Sequence, residues 1–149
     1  MKKFRFRLQS FLGYRKHLEQ EAKQAVSITQ TKINDCKNRI DAYEMNQQKN
    51  ITELYDKMSM GIDAKQIPIY TSYHDRLSFI LKNENMQYAQ LTNELSHKQK
   101  ILKQRSVEKK ALENLQQRKK EEYYKKISDT LQKESEDMNI IRKIRDTRK

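Results

Sequence analysis

From Phe4 to Ile62, apolar or tolerated residues recur at unbroken steps of three and four: Phe4, Leu8, Phe11, Arg15, Leu18, Ala22, Ala25, Thr29, Ile33, Cys36, Ile40, Tyr43, Gln47, Ile51, Leu54, Met58 and Ile62. Consecutive steps of four occur within it, as from Ala25 to Thr29 to Ile33 and from Tyr43 to Gln47 to Ile51. The mean spacing is therefore about 3.6, the period of a straight helix, and not the 3.5 of a supercoiled one. A second run repeats the pattern with Tyr73, Leu77, Ile80 or Leu81, Tyr88, Leu91, Leu95, Leu102, Leu112, Leu115, Tyr123, Ile127, Leu131, Met138, Ile141 and Ile144, thinning between Ser96 and Lys110. A single apolar stripe needs a partner, and two in one chain can cover each other.

The only proline, Pro68, and one of the two glycines, Gly61, fall between the runs. Gly61 can adopt the left-handed conformation that stops a helix, and Pro68 suits a loop or a first helical turn. Asp63 with Gln66 can cap a short intervening turn, and Ser72 followed by Asp75 resembles a capping box. The prediction is all-α: a single domain, 1–149, forming an elongated, nearly straight, antiparallel two-helix coiled-coil hairpin. Helix 1 is expected over about 4–60, a loop over about 61–71 and helix 2 over about 72–145. Facing residues should then have numbers adding to about 130, placing Leu8 opposite Glu122. The end of helix 2 should overhang the chain start, carrying Ile127, Leu131, Met138, Ile141 and Ile144 without an internal partner.

Composition supports helix over either alternative. With 35% hydrophobic and 35% charged residues and no tryptophan, 149 residues offer little material for a globular core. A net charge of +12 would suit disorder, but two glycines and one proline favour helix. The charge is sorted by position: residues 1–17 carry +6, 98–126 carry +7 and 139–149 carry +4, whereas 18–97 carry −2 and 127–138 carry −3. In the hairpin this makes a basic open end, suited to phosphates, an anionic membrane surface or an acidic protein cavity.

Motifs for chemistry are missing. There is no glycine-rich phosphate loop, HExxH, Cys-x-x-Cys or nucleophile elbow, so neither an enzyme nor a cofactor or metal site is expected. Cys36 lies on the stripe and reads as a packed thiol. His17, His74 and His97 lack metal-ligand spacing. Gly13, inside helix 1, is either tolerated at about 1 kcal/mol relative to alanine or lets another chain approach closely. The face of Phe4, Leu8, Phe11 and Leu12 with Arg5, Arg7, Arg15 and Lys16 could lie on an anionic membrane, although the same residues continue the stripe. The opening MKKFRFRLQSFLGYRK mixes arginine into its apolar residues, unlike a signal peptide, and no window approaches a membrane span. With one cysteine, a cytosolic location is expected. Nucleic acid is favoured by charge alone: Tyr123 and Tyr124 lie amid lysines, but no RNA-binding or basic-zipper signature accompanies them.

The opening FRFRLQSFLGYRKHLEQEAKQA resembles that of the FliJ family of the bacterial flagellar type III export apparatus. The likeness rests on Phe4, Phe6, Leu8, Leu12, Tyr14, Arg15 and Glu19, and on Gly61-Ile62 followed by Tyr70, Tyr73 and Leu77. The resemblance implies a non-enzymatic stalk, similar to the central stalk subunit of rotary ATPases, at the cytoplasmic face of the membrane. Its implied partners are the ring of the export ATPase FliI, the linker of the membrane gate protein FlhA, and export chaperones; no nucleic acid or small molecule is among them. It places the gate contact at Tyr73, Leu77, Ile80 and Glu84, where Glu84 departs from the family pattern. The ATPase contact is expected at the open end, on Phe4, Arg5, Arg7, Leu8, Phe11, Leu131, Met138, Ile141, Arg142, Ile144 and Arg145. The corresponding stalk of a virulence type III injectisome fits the same spacing. A nucleic-acid-binding coiled coil and a generic scaffold are the readings from other classes.

Overall fold

A computed structural model describes residues 3–147. Two long α-helices account for almost all of them, α1 over Gln9–Met60 and α2 over Ile67–Asp146, with a three-residue 3-10 turn, Ala64–Gln66, between. The helices pack against each other as a hairpin, and no strand occurs among the described residues. Contacts group the chain into two compact units, Gln20–Lys103 and, from both chain ends, Met1–Glu19 with Gln104–Lys149.

In the unit Gln20–Lys103, the turn is tighter than the sequence suggested. Gly61 has φ +88°, the left-handed cap that releases α1. The Asp63 carboxylate accepts from the Lys65 N–H at 3.2 Å, and its carbonyl accepts from Gln66 N–H at 2.9 Å. α2 then starts at Ile67, not at 72. Pro68 falls within its first turn, where the missing N–H has no helical acceptor to lose, and Ser72 lies inside the helix. Ile67 is helical (φ −56°, ψ −46°) although it precedes a proline, a position usually pushed toward extended backbone.

That shorter turn resets the register. Gln47 faces Ser78 (Nε2 to Oγ, 2.7 Å), and in the other unit Gln9 faces Gln116 (2.8 Å) and Glu19 faces Ser106 (2.8 Å), pairs whose numbers each add to 125. The expected 130 is corrected by about the five residues that the loop does not use, and Leu8 is level with residue 117, not with Glu122.

The core of the unit Gln20–Lys103 is built from Cys36, Ile40 and Leu81, with Tyr43, Tyr88 and Leu91 packed against them and Ile33 and Leu77 also buried. From Arg15 to Leu54 the α1 stripe is the buried or half-buried face as expected. Nearer the start it departs: Leu8 and Phe11 are exposed (42% and 43%) and Leu12 is fully buried in their place. Helix α1 begins at Gln9 instead of near Phe4. Its first turn holds no acidic residue and follows Arg5 and Arg7, cations that oppose the positive end of a helix dipole.

Candidate partner-binding surfaces

In the region where the α2 stripe thins, the interface is polar. Arg15 Nη1 lies 2.5 Å from Glu108 Oε2. Glu19, only 7% exposed, accepts from Ser106 and lies 2.7 Å from Lys109 Nζ. In the other unit, Lys98 Nζ donates to the fully buried Thr29 Oγ1 at 2.9 Å, and that hydroxyl donates in turn to the Ala25 carbonyl. The carboxylate of Glu19 raises the Lys109 pKa above its ordinary value. A count of apolar residues misses this layer. Its sequence signal is the partner type across the hairpin, at number sums a few residues either side of 125: Glu19 with Lys109, Arg15 with Glu108, Thr29 with Lys98.

The residues expected to meet the gate separate into two groups. Tyr73 is 42% exposed and lines a shallow surface groove with Pro68, Ile69, Ser72 and Arg76. Leu77, by contrast, is 3% exposed and belongs to the hairpin interior, and Ile80 is half-buried. Glu84 is held by α1: its Oε2 accepts from Arg39 Nε (3.2 Å) and Nη2 (3.1 Å), and the Cys36 thiol lies 3.5 Å from both its carboxylate and its carbonyl. Burial first, then the Glu84 carboxylate, pushes the Cys36 thiol pKa up. Near the turn, the buried Asn50 donates to the Tyr70 carbonyl at 2.9 Å, while the Lys57 ammonium donates to the Tyr70 hydroxyl.

At the chain ends, Phe4 packs on Tyr123 with ring centroids 5.7 Å apart, and Tyr123 meets Tyr124 edge-on at 5.6 Å. Arg5, Arg7 and Leu8 are exposed, and the Arg15 guanidinium lies 5.0 Å from the ring of the exposed Phe11. Ile127 is the last half-buried residue of α2; every residue from 128 to 147 is exposed. Leu131, Met138, Ile141 and Ile144 stand 50–56% open beside the exposed Arg142 and Arg145. Among the described residues no acidic, histidine or cysteine cluster could hold a metal ion, and no helix is long and apolar enough to cross a membrane.

Glycine 13 faces open space, with nothing within 4 Å of where its Cβ would stand. The chain's own packing therefore gives no reason for a glycine there.

The family model for the flagellar FliJ protein matches residues 4–148. A comparison with curated proteins finds no match. A solved structure described as that of a YscO homolog, CT670 from Chlamydia trachomatis, aligns over 93% of this chain and 94% of its own at 16% identity, with a TM-score of 0.46. A likeness that loose adds nothing about function.

Proposed function

This chain belongs to the FliJ family, non-enzymatic components of bacterial type III protein export, and from that premise we propose that it is the stalk coupling the flagellar export ATPase FliI to the membrane export gate FlhA. It acts in the cytoplasm, peripherally at the membrane, and also escorts export chaperones. The reading rests on one observation above the others: beyond Ile127, α2 carries the apolar stripe Leu131, Met138, Ile141 and Ile144 with no covering helix. A helix that inserts into a ring needs such a face, and Arg142 and Arg145 beside it suit an acidic cavity. Phe4, Arg5, Arg7, Leu8 and Phe11 extend the contact.

The gate contact is proposed for Tyr73 and the exposed edge of Ile80, with Ile69 and Arg76 completing the surface. Leu77 and Glu84 support it from beneath through the hairpin. The chain links energy use to gating by making different contacts with each partner in their different states. Deleting residues 127–149 should abolish stimulation of the purified ATPase while circular dichroism still reports the helical hairpin. Undiminished stimulation by the truncated protein would overturn the assignment of this end.

A further inference from the structure

The exposed segment 133–146 of α2 is charge-antisymmetric about its midpoint. Taking residues whose numbers add to 279, Lys133 is matched with Asp146, Glu134 with Arg145, Glu136 with Lys143 and Asp137 with Arg142. All eight charged residues of the segment are matched with the opposite sign, and at the centre Met138 is matched with Ile141. The structure gives no ion pair to any of these eight residues among the described ones.

We propose that two copies of this chain pair antiparallel through residues 133–146, centred between Asn139 and Ile140. Laid antiparallel in this register, each helix sets every charge level along the axis with its opposite on the second copy. Leu131, Glu134, Met138, Ile141 and Arg145 follow steps of three and four, so Glu134, Met138, Ile141 and Arg145 share the contact face. Met138 packs on Ile141 of the second copy at the centre, and Glu134 meets its Arg145 on both sides. Of the remaining matched charges, Asp137 and Arg142 flank the same face and reinforce the pairing, while Lys133, Glu136, Lys143 and Asp146 lie on the sides and back of the helix and add little. A parallel pairing would instead set each charge against its like.

Space allows it. Residue 147 of the second copy comes level with residue 132, past Ile127, where the helix has already emerged from its packing. The contact is short and half polar, so the association is weak and concentration-dependent. It occupies the face assigned above to the ATPase, which makes the pair a stored form that must open before that face can be used. The pairing itself does not depend on the ATPase reading.

Sedimentation equilibrium on the full chain alone tests it. We expect a monomer–dimer equilibrium that weakens as salt rises. Glu134→Arg, or Arg145→Glu, places like charges at both symmetric contacts and should weaken dimerisation roughly tenfold. Mixing these two variants should restore association, because each supplies the charge the other lacks, and the double variant should self-associate like the parent. Circular dichroism checks that all remain helical. A chain that stays monomeric at every concentration, single reversals without effect, or a mixture that fails to associate would each overturn the pairing. So would a reversal that abolishes ATPase stimulation while leaving self-association unchanged, since it would give the face to the ATPase alone.

Discussion

The carboxylate of Glu19 on α1 lies 2.7 Å from the ammonium of Lys109 on α2 and accepts from Ser106 as well. This contact stands where an apolar stripe would ordinarily run, so specificity of register comes here from charge and hydrogen bonding. Glu19→Ala leaves Lys109 without its closest carboxylate and Ser106 without its acceptor; thermal unfolding should shift down by about 5 °C. Glu19→Gln keeps the acceptor for Ser106 and should lose less. A Glu19→Ala melt matching the parent would show the layer to be dispensable.

The two glycines should respond in opposite directions to alanine. Gly13 is inside α1 and faces open space, so Gly13→Ala should stabilise by about 1 kcal/mol through helix propensity. Gly61 holds φ +88°, and Gly61→Ala should cost about 1 kcal/mol of strain even though its Cβ meets no atom. Urea unfolding of both variants measures the pair of effects. If Gly13→Ala gains stability but loses binding to the export ATPase, its glycine serves close approach by that partner.

The stripe from Arg15 to Leu54 was legible because a helical period repeated over many turns admits one face only, and the hairpin follows from two such stripes. The turn was less legible. The Asp63 cap reads as it stands, but Ser72 reads as the start of helix 2, and nothing local says that Pro68 would be absorbed into the first turn of α2; the register error follows directly from that choice. Leu8 and Phe11 fit the spacing, but Leu12 fits the interior, since the helix starts only at Gln9 and the stripe has no earlier turn to fix its phase. Of the candidate surfaces, the exposure of Tyr73 and the burial of Leu77 could not be separated by a list of residues four apart on one helix. They lie on the flank and the centre of the same face, and only the position of α1 distinguishes them.

Cys36 sets a pH dependence. Burial and the Glu84 carboxylate hold its pKa above the ordinary 9.0, so the folded chain keeps a proton that the unfolded chain gives up. The resulting stability is fully present below pH 9.0 and is lost as pH rises through the folded value. Lys57 and Lys109 are also raised, but from 10.5. A decline between about pH 9 and 10.5 therefore belongs to Cys36 first, and Cys36→Val should flatten it in urea titrations at successive pH values. The native thiol should also react with a thiol reagent only as fast as the helices open. Prompt reaction in the native protein would contradict its burial.

Tyr73 and Leu77 provide the sharpest separation of packing from docking. Leu77 is 3% exposed, so Leu77→Ala opens a cavity inside the hairpin and should destabilise it by about 2–4 kcal/mol. Tyr73 stands 42% exposed over the groove of Pro68, Ile69, Ser72 and Arg76, and Tyr73→Ala should cost little stability. If the groove receives the gate, Tyr73→Ala should nevertheless weaken binding to the purified gate cytoplasmic domain while leaving ATPase stimulation intact. Leu77→Ala should lower gate binding only in proportion to the fraction of chains unfolded, and so recover it on cooling or with a stabilising Gly13→Ala background. A Tyr73→Ala protein that binds the gate like the parent would remove this groove from the docking surface and leave its apolar residues as ordinary exposed side chains of the turn.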